Sequence, residues 1–158
     1  MDSYARKELA MNAFLQGYNC AQSVALAFED CVPFSREELL RLTSSFGGGM
    51  GRLREVCGAV SSMFMVAGLL WGYDGPESGD VKKAHYARIQ ELAKRFEEKS
   101  GSIVCRELLG LTQKRDDPTP AARTLEYYQD RPCKALVGLA AETLNDYLLE
   151  QETESSAV

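Results

Sequence analysis

The sequence predicts an all-α fold, a single helical bundle around one buried helix, and three observations point to it. An apolar run from Val56 to Trp71 is bounded by glycines, and its length favours a helix over a strand. Its apolar residues fall on every side, as in a helix enclosed by others. Cap residues and helix-spaced apolar positions recur on both sides of it, and no strand or repeat stands out. The central helix is expected over about 52–72, thin at Gly58, Ala59, Ser62 and Gly68, so that neighbours can pack close.

With 158 residues, the chain reads as one domain spanning 1–158. A hydrophobic content of 45% suffices for a real core. A net charge of −5, with no basic stripe among aromatics, argues against nucleic acid as a partner. The apolar run is shorter than the about 20 residues of a membrane span and holds Cys57, Ser61 and Ser62, so no membrane insertion is expected. Met1–Glu8 lacks an apolar signal core, which makes a cytoplasmic location the expectation. Five cysteines there read as thiols, redox groups or metal ligands rather than structural disulfides.

In chain order, residues 3–16 read as a first helix closed by Gly17. Asn19 caps a second over Cys20–Phe28. Ser35 and Glu38 have capping-box spacing for a third, to about Ser45. The glycine loop Gly47–Gly51 precedes the central helix. Tyr73–Gly79 is a turn-rich connector, the most mobile stretch expected, and 80–100 is an amphipathic helix. Ser102 can cap a short helix with Cys105 in its third position, ended by Gly110. Thr112–Thr119 reads as a surface loop, and Pro120 opens a short helix through Tyr128. Pro132 opens the last helix, to about Glu150, leaving a frayed tail over 151–158.

This reading puts Cys20, Cys105 and Cys133 in the first turns of helices and Cys57 just after the glycine loop. Free amides and the helix dipole there favour an anion, and the thiolate is both nucleophile and metal ligand. The spacings of 37, 48 and 28 residues contain no CxxC motif, so any site must be assembled by the fold. The plainer alternative is that these are small buried hydrophobes. Cys31, at a helix end beside Val32-Pro33, reads as packing.

Four segments occur in order: Gly17-Tyr-Asn-Cys-Ala-Gln22, Phe46-Gly-Gly-Gly-Met-Gly-Arg52, Cys57-Gly-Ala-Val-Ser-Ser62 and Gly101-Ser-Ile-Val-Cys-Arg-Glu-Leu-Leu-Gly110, followed by Cys133. Together they resemble the C_GCAxxG_C_C family, small prokaryotic proteins named for redox activity and often encoded near transporter genes. The family is defined by four cysteines and a Cys-Gly-Ala-x-x-Gly motif. The resemblance implies functional roles for Cys20, Cys57, Cys105 and Cys133, with Gly58 and Ala59 in the motif. Ser62 stands where the motif has its second glycine.

The expected function is therefore a redox or metal-site protein. Its four cysteines would form one site that binds a thiophilic metal or iron–sulfur centre, or cycles between dithiol and disulfide. Cys31 is expected outside it. The loop residues Gly48, Gly49, Gly51 and Arg52 are candidates to approach a thiolate cluster or small anion through backbone amides and a guanidinium. The loop lacks the preceding strand of a dinucleotide fold and the Gly-Lys-Ser/Thr of a P-loop. His85, the sole histidine, reads as half-exposed, and Asp116-Asp117 as solvated surface. No catalytic triad is visible, and the redox partner stays open. A second reading, from another class, is a helical interaction module serving a transporter, with cysteines that only pack.

Overall fold

The computed structural model describes residues 1–76 and 78–157. Its chain packs as an all-helical bundle: α1 (Ser3–Leu15), α2 (Cys20–Ala27), α3 (Arg36–Thr43), a 3-10 turn (Ser44–Phe46), a single turn α4 (Gly47–Met50), α5 (Gly58–Trp71), α6 (Gly79–Ser100), α7 (Cys105–Leu108), α8 (Leu125–Asp130) and α9 (Cys133–Ser156). Two expected caps are in place, while Val104 rather than Ser102 caps α7. Asn19 and Gln22 close a capping box on α2, and Ser35 and Glu38 close one on α3. Among the described residues no helix is long and apolar enough to cross a membrane.

The core gathers Phe14 of α1, Val24 of α2, Val60, Met63 and Val66 of α5, Leu92 and Phe96 of α6, and Val137 and Leu144 of α9. Helix α5 packs against α2, α9 and α6, which gives it the central place expected of it. It starts later than expected, however. Residues 52–57 are not helical: Arg52 and Arg54 have φ of 66° and 59°, and Val56 makes an isolated bridge to Val104. The first helical residue is Gly58, with Cys57 as its N-cap. The far end of α5 also comes to the surface at Leu69, and a side chain at Gly68 would meet nothing within 4 Å. Only Gly58 among the glycines of this helix is there for close packing.

Three boundaries differ for local reasons. Cys105 is the first residue of α7 rather than the third, because the Val56–Val104 bridge holds the preceding residues extended. The helix expected from Pro120 begins at Leu125, where Thr124 Oγ1 accepts from the Tyr127 amide. The last helix does not stop at 150, since α9 continues to Ser156, with Gln151, Glu152 and Glu154 as good helix formers along the way. Val158, in that expected tail, and Glu77, in the expected connector, lie outside the described residues.

Ser62 is fully buried, and its hydroxyl has no hydrogen-bond partner among the described residues. An unpartnered buried hydroxyl costs about 1–3 kcal/mol, and alanine is the better helix former. Ser62→Ala should therefore stabilise the fold by about 1 kcal/mol, read from the denaturant midpoint. Ser62→Gly, which restores the family residue, should change it by less because glycine returns about 1 kcal/mol of helix propensity. A lower midpoint for Ser62→Ala would show that the hydroxyl is satisfied.

Candidate redox pocket

The glycine loop does something more specific than turn. Gly48, Gly49, Met50, Gly51 and Arg52 all have φ between 62° and 69°, and Arg54 follows at 59°. For a non-glycine residue the left-handed region costs roughly 1–2 kcal/mol, so Met50, Arg52 and Arg54 are held there by their surroundings. What holds them is the segment around Cys105. The Cys105 amide donates to the Glu55 carbonyl at 2.6 Å, and the Cys57 amide donates to the Ile103 carbonyl at 2.8 Å. Gly49 is buried against this segment, and an added Cβ would stand 2.6 Å from Cys105 Cβ and 2.9 Å from Arg54 Cα. The loop thus clasps the start of α7.

Each family cysteine reaches the same place from a different helix start. Cys20 opens α2, Cys57 caps α5, Cys105 opens α7 and Cys133 opens α9. All four line one cavity of about 400 Å³, together with Gly48, Gly51, Gly58 and Arg52. Cys31 does not line it. Its sulfur instead accepts from Arg6 Nη2 at 2.9 Å, next to Asp30. All five cysteines are thiols. Among the described residues no three His, Cys, Asp or Glu side chains stand together as a metal-holding group. The candidate set Cys20, Cys57, Cys105 and Cys133 therefore shares a cavity without being arranged as a metal cage.

Helix starts are expected to ease the loss of a thiol proton, but burial outweighs them here. Burial raises the pKa of Cys20; the Gly48 amide opposes this, and Cys105 adds to it. Burial also pushes Cys57 up strongly, reinforced by Cys20. The Ala59 and Val60 amides oppose that rise without forming a cap hydrogen bond. Cys133 is pushed up to about 11 by burial and then by Cys20 and Cys105, against Arg131 and Arg123. The cause is physical: a thiolate enclosed here loses hydration, and neighbouring thiolates repel it further.

This has a consequence for stability against pH. With the Cys133 pKa raised from 9.0 to about 11, the folded chain keeps a proton that the unfolded chain gives up. The contribution is complete below about pH 9 and is lost as pH rises through about 11. The Tm of the reduced protein should fall across that window, and Cys133→Ser should make the fall shallower, leaving the part that Cys20 and Cys57 contribute. A flat Tm in wild type would contradict the placement of a partly enclosed thiol here.

The most tightly held charge in the pocket is one that sequence reasoning passed over. Arg54 is 2% exposed. It donates to Asp116 Oδ2 through Nε at 3.0 Å and Nη2 at 2.8 Å, and its Nη1 donates to Cys105 Sγ at 3.6 Å. Burial works against its charge, yet Cys105 and Asp116 hold its pKa above the ordinary value. Asp116, expected as solvated surface, is the anchor of this buried cation. Arg52 reaches the same carboxylate at 3.5 Å and gives Nε to the Asp117 carbonyl at 2.8 Å, and its φ of 66° places it in the loop rather than at the expected helix start. Nothing local to Arg54 marks it out, because its burial depends on a loop 62 residues away.

The C_GCAxxG_C_C family model, described as "Putative redox-active protein (C_GCAxxG_C_C)", matches residues 18–147. The chain belongs to the C_GCAxxG_C_C family. No curated protein and no solved structure matches it. The matched span contains the four pocket cysteines, the glycine loop and Arg54 with Asp116. Family membership and the cavity thus concern the same residues. The structure adds to the family's cysteines a set of pocket arginines: Arg52, Arg54, Arg123 and Arg131.

Proposed function

We propose that this pocket is a thiol redox site that performs thiol–disulfide exchange. The observation that carries the reading is the gathering of the four family cysteines on one cavity beside a buried guanidinium. In the reduced state most of the thiols hold their protons, because neighbouring thiolates in a small cavity are unfavourable. One cysteine loses its proton and attacks a sulfur of an external disulfide. That forms a mixed disulfide and expels one external thiolate. A second cysteine then attacks the mixed disulfide, closes a protein disulfide and releases the other external thiol. Two protein thiols are oxidised and one external disulfide is reduced to two thiols; the two protein protons pass to the leaving groups or to water. Run in reverse, the same steps reduce the protein. In a reducing compartment such as the cytoplasm the dithiol would be the resting form.

Arg54 supports this reading as a fixed donor to the Cys105 sulfur, where negative charge gathers in either direction. The test is a thiol count with intact mass on anaerobically purified protein, before and after treatment with a small disulfide, with metal analysis alongside. Exchange predicts the loss of pocket thiols in pairs as protein disulfides, reversed by a dithiol reductant, with Cys31 in none of them. Stoichiometric metal that protects all four thiols would replace exchange with a thiophilic metal or iron–sulfur site. Thiols that neither pair nor bind metal would return the cysteines to packing, as in a helical interaction module.

A further inference from the structure

Four arginines line the cavity, Arg52, Arg54, Arg123 and Arg131, and among the described residues no Asp or Glu lines it. Arg52 and Arg54 share the Asp116 carboxylate. The other two have no such partner: neither Arg123 nor Arg131 is in an ion pair among the described residues. Their positions are nonetheless fixed. Arg123 donates to the carbonyls of Phe14 and Tyr18 at 3.1 and 3.0 Å and lies over the Phe14 ring at 4.2 Å. Arg131 lies over the Tyr127 ring at 4.8 Å. Aromatic faces hold a guanidinium without neutralising it and keep some water away, so its charge is weakly screened.

The charge balance of the pocket is therefore positive, within a chain whose net charge is −5. Phe14, Tyr127 and Leu136 line the same cavity and supply apolar surface. A volume of about 400 Å³ falls in the range of small-molecule sites and is too small for a folded partner. We infer that the pocket takes a low-molecular-weight acidic disulfide or its thiol, with carboxylates held by Arg123 and Arg131 while the sulfur meets the cysteines. The inference rests on the exchange reading above and adds the substrate class to it. The bond changes are those already given, with the acidic disulfide as the oxidant.

The test compares two disulfide probes on the reduced full-length chain: dithiobis-nitrobenzoate, which carries two carboxylates, and dithiodipyridine, which carries none. Second-order rates are measured for wild type, Arg131→Gln and Arg131→Lys. Charged clefts raise encounter with a counter-charged ligand by roughly tenfold or more, so Arg131→Gln should slow the acidic probe by roughly tenfold. The neutral probe should change by less than about twofold, and Arg131→Lys should restore most of the loss, because charge rather than fork geometry steers encounter. In wild type, added salt should slow the acidic probe alone. Equal loss for both probes would overturn the inference, since Arg131 would then act only on the thiols, as would no loss at all. If neither probe reacts with wild type, exchange fails and binding of nitrobenzoate, which cannot exchange, decides the pocket's charge preference by calorimetry. Binding that weakens roughly tenfold in Arg131→Gln keeps the acidic-ligand assignment, and anything less overturns it.

Discussion

Gly58→Leu should lower the unfolding free energy by about 3 kcal/mol or more and remove Cys20 from its place in the pocket. A Cβ at Gly58 would overlap Cys20 Sγ and stand 2.6 Å from the Phe46 carbonyl oxygen. The sulfur could swing aside, but the carbonyl is backbone of the turn entering the glycine loop and moves only if that turn shifts. The Ala21 amide, 3.3 Å away, closes the third side. Overpacking against backbone lies at the upper end of the usual cost, and a domain of this size has only about 5–15 kcal/mol to lose. Denaturant melts check the stability. The rate of Cys20 alkylation in Gly58→Ala, the milder variant, checks the site. Gly58→Leu melting like wild type would show that α2 and α5 do not cross here as closely as described.

The second large effect is expected at Arg54. Replacing it by Leu strips Asp116 Oδ2 of two donors and leaves Cys105 Sγ without a charged donor. Breaking a fully buried ion pair costs roughly 3–5 kcal/mol. Here the loss should be roughly 2–4 kcal/mol, because Asp116 is 21% exposed and keeps Arg52 at 3.5 Å. Arg54→Lys keeps the charge, but one ammonium cannot serve the carboxylate and the sulfur with the same fork. It should fold better than the Leu variant and still react more slowly at Cys105. The decisive measurement is the ratio of Cys105 to Cys31 reactivity in the Lys variant. Cys31 lies beside Arg6, in a separate network, and serves as an internal control. An unchanged ratio would reduce Arg54 to a structural role.

Sequence alone determined the helical class and most of the element starts, and through the family resemblance it singled out four particular cysteines. Those properties are local. Capping boxes at Asn19 and Ser35 act within four residues, and they set where α2 and α3 begin. An apolar run such as Val56–Trp71 must be covered wherever the chain places it. Small residues at Gly58 and Ala59 announce that something packs close, though not that the neighbour is a sulfur.

Tertiary structure decided the rest. The left-handed path of residues 48–52 and 54 is unfavourable taken alone, and it exists because the Glu55 and Ile103 carbonyls tie Cys105 and Cys57 to each other's segments. That path delays α5 to Gly58 and turns Arg54 inward, where a pattern reading had put a helix and Arg52. Thiol acidity reversed for the same reason: a helix start lowers a pKa only while water or a cation shares the charge, and burial of three thiols together removes the water. The pocket's positive balance comes from side chains contributed by residues 52–54 and 123–131, which are far apart in the chain. No window of sequence contains it, because it exists only where long-range packing brings those segments around one cavity.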